Sequence, residues 1–170
     1  KGYSGDGGIP GYLMLSLLPN DYTLPRVQAA LAHECNHNVR FQFIKWNQQT
    51  TLADWVVSEG LAESFAAELY GKELIGPWVT STSPEQLEEI KSIISSQLQL
   101  TGMAEMAPYL YGDEIAEIQG QLPVGMPYAA GYAYGYHLIQ AYLEKTGKSI
   151  IEATVTSTEE ILEATKDFWK

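Results

Sequence analysis

Ala32-His33-Glu34-Cys35-Asn36-His37, followed by Ser58-Glu59-Gly60-Leu61-Ala62-Glu63, is the pair of stretches on which the reading of this chain turns. The first has the spacing H-E-x-x-H. On a helix, residues four apart share a face and stand roughly 6 Å apart along the axis. Two imidazoles so placed can close on one metal ion from one side. Glu34 is turned by about 100° from His33, so it makes a poor third ligand from the same turn. It can reach a water activated by that metal, the place a general base must occupy. The plain alternative is two core or solvated histidines on an ordinary helix.

The second stretch bears on that choice, because a catalytic zinc site needs a third protein ligand and an open position. A helix is predicted from about Thr51 to Tyr70, with an apolar stripe of Leu52, Trp55, Val56, Ala62, Ala66 and Tyr70. Glu59 and Glu63 fall on that stripe. A carboxylate facing a core is costly unless it is paired or bound to a cation. Glu59 as ligand, with Glu63 orienting a ligand histidine, satisfies both, since metal-bound imidazoles donate their other N–H to an acceptor. A solvated acidic pair is the alternative. Gly60 is odd in a helix, where glycine costs about 1 kcal/mol against alanine; close approach of the two metal-bearing helices would justify it.

His33 to His37 followed by Ser58 to Glu63 resembles the gluzincin clan of metallopeptidases. That resemblance implies a Glu ligand on the helix after the motif, here Glu59, and an acid four residues on, here Glu63, holding a ligand His. More closely, the chain resembles the bacterial YjaZ-like group of predicted zinc-dependent proteases. Ala32 through Arg40, Ser58 through Glu63, and Ala130-Gly131-Tyr132 through Gly135-Tyr136 match its pattern in order, over most of the chain. The resemblance implies an α+β, predominantly helical, zincin-like fold with an N-terminal edge strand and an active-site helix pair. It also implies one Zn²⁺ per chain and a peptide or protein substrate. A catalytically weak or inactive zinc-bearing regulatory domain on the same scaffold is the rival reading.

Composition sets bounds. With 170 residues, one domain spanning 1–170 is expected, with enough chain to bury a core. A net charge of −11 and no basic stripe argue against nucleic acid. The lone cysteine, Cys35, excludes an internal disulfide and reads as a small buried residue. No apolar run is long enough to span a membrane. The chain opens on Lys1 rather than Met, which leaves room for an upstream segment. A cytoplasmic location is the first expectation, and secretion stays open.

Gly2 to Gly11 reads as a loop by its five glycines and Pro10. Tyr12 to Leu18 reads as a strand, and by resemblance as the sheet edge that pairs with an extended substrate, an internal strand being the alternative. The metal-bearing helix is expected from Pro25, with Thr23 as cap, to about Ile44. Arg40, on its metal side, can pair with Glu59, Glu63 or solvent. Thr51 with Asp54 forms a capping box, and Gly71 ends the second helix. Leu74 to Thr82, carrying Trp78, is a lid or wall. Ser83-Pro84-Glu85 opens a third helix predicted to reach Gly102. Met103 to Gly125 is mixed. Short helices are expected over 150–155 and 157–168, the last capped by Ser157 or Thr158.

Tyr128, Tyr132 and Tyr136 recur every four residues in a helix predicted from Tyr128 to Lys145 and closed by Gly147. A phenol or imidazole near a metal can donate to the oxyanion of an attacked carbonyl. By resemblance Tyr132 is the first choice and His137 and Tyr136 the reserves; an aromatic core stripe is the alternative. The expected chemistry has His33, His37 and Glu59 as metal ligands, Glu34 as general base and Tyr132 or His137 as oxyanion donor.

Overall fold

Two short strands open the chain in the computed structural model, which describes residues 2–170. Strands β1 (Tyr3–Asp6) and β2 (Met14–Leu17) pair antiparallel, Tyr3 opposite Leu17 and Asp6 opposite Met14. The glycine-rich segment read as a loop therefore contains a strand. It is held by the partner strand and by packing against the helix that follows, as a lone hairpin must be. Leu18 N–H donates to Gly2 O, so Gly2, Ser4 and Asp6 spend their backbone groups on β2. The groups of Tyr3 and Gly5 point the other way, along an edge that no described strand covers.

Helix α1 (Val27–Arg40) follows a single 3-10 turn at Leu24–Arg26, with Pro25 in that turn. Thr23 does not cap it: the hydroxyl donates to Leu18 O at 2.7 Å and ties down the turn. The helix stops short of Ile44 because the N–H groups of Phe43 and Ile44 both return to Arg40 O. Helix α2 (Leu52–Tyr70) has its Thr51–Asp54 capping box and ends at Gly71, φ +94°. It is buried on nearly every face from Leu52 to Ser64 rather than on one stripe, as befits the central rod of the molecule.

Short α3 (Pro77–Thr80) precedes α4 (Pro84–Ile94), which carries a Ser83–Gln86 capping box. Helix α4 ends before the expected Gly102. Beyond it, the carbonyls of Leu98 and Leu100 accept from Ala53 and Leu52 N–H, two of the orphan donors at the start of α2. The mixed stretch resolves into α5 (Met103–Tyr111) and α6 (Asp113–Ile118), joined at Gly112, φ +89°. Helix α7 (Ala130–Thr146) ends at Gly147, and α8 (Ile150–Thr154), α9 (Thr158–Ala164) and α10 (Lys166–Trp169) finish the chain. Ser157 caps α9 by accepting from Glu160 N–H.

The main core lies between α2, α4 and α7 and takes in Val56, Leu61, Ile90, Ile94, Tyr134 and Leu138. Gly60 serves a different contact from the one expected. A Cβ there would lie 2.1 Å from Gly135 O, and a Cβ on Gly135 would lie 2.0 Å from Val56 O. The close approach is thus between α2 and the tyrosine-bearing α7, not between α2 and α1. The chain is predominantly helical with a two-stranded sheet. No helix among the described residues is long and apolar enough to cross a membrane.

Candidate metal centre

Helix α1 presents His33 and His37 one turn apart, and α2 brings Glu59 between them. His33 Nε2 and His37 Nε2 are 3.0 Å apart. Glu59 Oε2 lies 3.2 Å from the first and 3.3 Å from the second. Ligands of a tetrahedral zinc with bonds of about 2.0–2.1 Å stand about 3.3–3.4 Å from one another. The three atoms thus form nearly the triangular face that such an ion requires. Glu59 Oε2 is buried with no well-aligned hydrogen bond, although two ring nitrogens face it. Two Nε2 atoms and a carboxylate oxygen converging on one point suit a divalent cation better than they suit one another.

The surroundings of the two imidazoles differ. His33 Nδ1 faces Glu63 Oε1 at 3.9 Å, and the other oxygen of Glu63 accepts from Gly76 N–H at 3.4 Å. His37 Nδ1 is buried without a partner. Its ring instead stacks on Phe41, centroids 5.4 Å apart and 12° from parallel. Phe41 in turn meets Trp46 at a tilt, and Trp46 meets Trp55 edge-on.

Arg40 does not pair with Glu59 or Glu63. It is 0% exposed and donates to Ser58 Oγ, to the carbonyls of Thr154 and Thr156, and to Thr158 Oγ1. Asn36, one turn earlier, donates to Thr154 Oγ1 at 2.7 Å. The carboxy-terminal half of α1 is therefore locked to the end of α8 and the turn that follows it. Burial lowers the guanidinium pKa to about 10. Cys35 is exposed, not buried; its helical phase points it away from both the cluster and the core.

Glu34 is buried beside His33 and lies under β1. A Cβ on Gly5 would come within 2.2 Å of Glu34 Oε1, and one on Gly7 within 2.1 Å of Glu34 O. The amino-terminal glycines therefore let a strand lie on the helix that carries His33 and His37. This strand, Tyr3–Asp6, is the one beside the site; the run Tyr12–Leu18 that was expected there forms the outer strand.

Two cavities meet at the cluster. One, of about 480 Å³, is walled by Tyr3, Ala29, Ala66, Ile75, Trp78 and Tyr128. The other, of about 830 Å³, includes Gly7, His37, Phe41, Trp46, Trp55 and Glu59. Gly5, His33, Glu34, Tyr111 and Tyr132 line both. Tyr132 thus stands at the junction. Tyr136 does not: it is buried among Ala29, Ala32, Ala66, Ile75 and Val79, with its hydroxyl unpartnered. His137 lines neither cavity and rests against Tyr136. Burial, then Lys72, lowers its pKa. Tyr111 escaped the sequence reading because nothing local in 103–125 distinguishes it.

Burial alone would lower the His33 pKa, but the Glu59 oxygen 3.2 Å away and the charges of Glu63 and Glu34 outweigh it and push it up to about 9. Burial would raise Glu59, but His37 and His33 hold it down to about 2. Burial raises both Glu34 and Glu63. Metal-free, the cluster is thus held by a proton. His33 has a raised folded pKa, so its contribution is complete below about 6.5 and lost as pH rises through about 9. Metal-free protein is expected to lose roughly 1–3 kcal/mol of stability across that window. Zinc uptake at neutral pH should release about one proton, because ligands must be deprotonated. Calorimetry in buffers of different ionisation enthalpy reads that proton; a release of zero contradicts the protonated cluster.

A family model described as "Predicted Zn-dependent protease (DUF2268)" matches residues 1–163. "Uncharacterized protein YjfC" of Bacillus subtilis (strain 168) is 45% identical over 155 residues, covering 91% of this chain and 52% of that protein. "Uncharacterized protein YjaZ" of the same organism is 27% identical over 155 residues, covering 89% and 55%. The chain spans about half the length of these curated relatives. No solved structure matches.

Proposed function

The chain belongs to the family of predicted Zn-dependent proteases, and we propose that it is a zinc metallopeptidase that hydrolyses peptide bonds. The observation that carries this reading is the convergence of His33 Nε2, His37 Nε2 and Glu59 Oε2 beside a buried Glu34. These three residues hold the ion, one per chain, and Glu63 orients His33. Bound zinc lowers the pKa of water to about 7 and polarises a carbonyl oxygen.

Glu34 takes the proton from the attacking water and passes it to the leaving amine. Its pKa, raised first by burial, suits a base that must also act as an acid. Tyr132 donates to the oxyanion. Burial holds the phenol pKa well above its usual value, so the proton stays available for donation. The uncovered edge of β1 offers the backbone groups of Tyr3 and Gly5 to an extended peptide. Because β1 borders both cavities, the first at Tyr3 to Gly5 and the second from Gly5 on to Gly8, the peptide continues on either side of the cluster, which favours internal cleavage. The Ile75–Trp78 wall favours a large apolar side chain there. A strand laid on a metal-bearing helix pair supports a zincin-like arrangement, with residues 1–170 as one peptidase domain.

Elemental analysis of protein purified without added metal tests the first half, with about one zinc per chain expected. Glu59→Ala should lose that zinc. Cleavage of casein or a peptide library, stopped by a chelator and restored by zinc, tests the second. Zinc without cleavage would instead favour an inactive regulatory domain.

A further inference from the structure

We infer that Tyr111 is a second catalytic phenol, donating with Tyr132 to the oxygen of the attacked carbonyl; the inference rests on the peptidase reading above. Tyr111 is the last residue of α5 and lines both cavities at their junction, together with His33, Glu34 and Tyr132. Its ring centroid is 6.4 Å from that of Tyr132, with the planes 40° apart. The tyrosines of this region fall into separate groups. Tyr134 bonds Ser95, and the hydroxyls of Tyr136 and Tyr142 are sealed in the interior. Tyr111 and Tyr132 have neither a protein partner nor a sealed hydroxyl among the described residues, so both phenols stay open to the cleft. Burial, then the charge of Glu59, raises the Tyr111 pKa, which keeps the donor proton in place.

The position of Tyr111 is built, not incidental. Tyr111 O accepts from Ala129 N–H, and Met126 O accepts from Asp113 N–H, both at 2.9 Å. The Asp113 carboxylate accepts from Val124 and Gly125 N–H at 2.8 and 2.9 Å. A Cβ on Gly112 would lie 2.3 Å from Pro127 O, at a backbone φ of +89°. Ala129 is the one non-glycine residue among those described with positive φ, at +54°, immediately before the helix that carries Tyr132. Strained backbone of this kind persists only where the surroundings over-determine it, and it concentrates at functional sites. The strap from Gly112 to Ala129 thus ties the end of one phenol-bearing helix to the start of the other. No covalent step is involved: each phenol keeps its proton and donates a hydrogen bond that strengthens as the carbonyl oxygen gains charge.

The test uses the zinc-loaded full chain. Kinetics on a cleaved peptide are measured with the affinity for a phosphinic peptide, whose tetrahedral oxygens stand for the oxyanion. Tyr111→Phe is expected to lower kcat about 10–100-fold, with KM changed by about twofold at most. Affinity for the phosphinic peptide should fall by a similar factor, while zinc content and Tm hold. A Tyr111→Phe protein with parental kcat and parental affinity overturns the assignment. So does a rise in KM alone, which marks Tyr111 as a wall of the groove. A zinc-loaded parent that neither cleaves peptides nor binds the phosphinic peptide overturns the peptidase reading itself, and this inference with it.

Discussion

Glu34→Gln is expected to keep its zinc and to lose about 10³-fold or more in kcat. The substitution preserves size and leaves a neutral carboxamide that cannot accept a proton. Glu34 is not part of the His33–His37–Glu59 triangle, so the donor set for the metal is untouched. Gly5, which faces the carboxylate, accepts the amide without added bulk. Zinc per chain and kcat on a peptide substrate read the two halves separately. Parental activity in Glu34→Gln would remove the general base from the mechanism, whereas loss of zinc would mean that Glu34 serves the metal instead.

Gly135→Ala carries the largest expected effect on stability. The added methyl would sit 2.0 Å from Val56 O and 3.0 Å from Gly60 N, both of them backbone atoms of α2. No rotamer change can relieve such a collision, so α7 must shift bodily. Overpacking costs typically 1–3 kcal/mol where side chains can move; a backbone collision should reach about 3 kcal/mol or more, a fall in Tm of roughly 6–12 °C for a chain of this length. Tyr132 rides on the same helix, so kcat should fall in the protein that still folds. Helix propensity favours alanine over glycine by about 1 kcal/mol, so a fall in Tm on thermal unfolding of Gly135→Ala reads the collision and not propensity. A Tm within a degree or two of the parent would contradict the close approach.

Much of the site was legible because its parts obey local rules. The spacing of His33, Glu34 and His37 acts within one helical turn, whatever the rest of the chain does. Glu59 and Glu63 betrayed themselves as carboxylates on an apolar helix. The Thr51–Asp54 box, the Ser83 start and the Gly71 and Gly147 ends depend on neighbours three or four residues away, and the structure places them there. Even Gly60 advertised a close contact.

What lay beyond that reading were the partners of residues far apart in the chain. Gly60 meets Gly135 rather than α1, and Arg40 meets Thr154 and Thr156 rather than a carboxylate. The strand beside the site is the glycine-rich Tyr3–Asp6, whose composition signals a loop until Glu34 explains why side chains are excluded. Tyr111 becomes visible as a cleft residue only when the strap to Ala129 folds α5 against α7. Helical periodicity and capping are written into a few adjacent residues, so the order of amino acids alone determined the one-turn spacing of His33 and His37 and most helix starts. Which faces meet is a property of packing summed over the whole chain, and only the tertiary structure decided it.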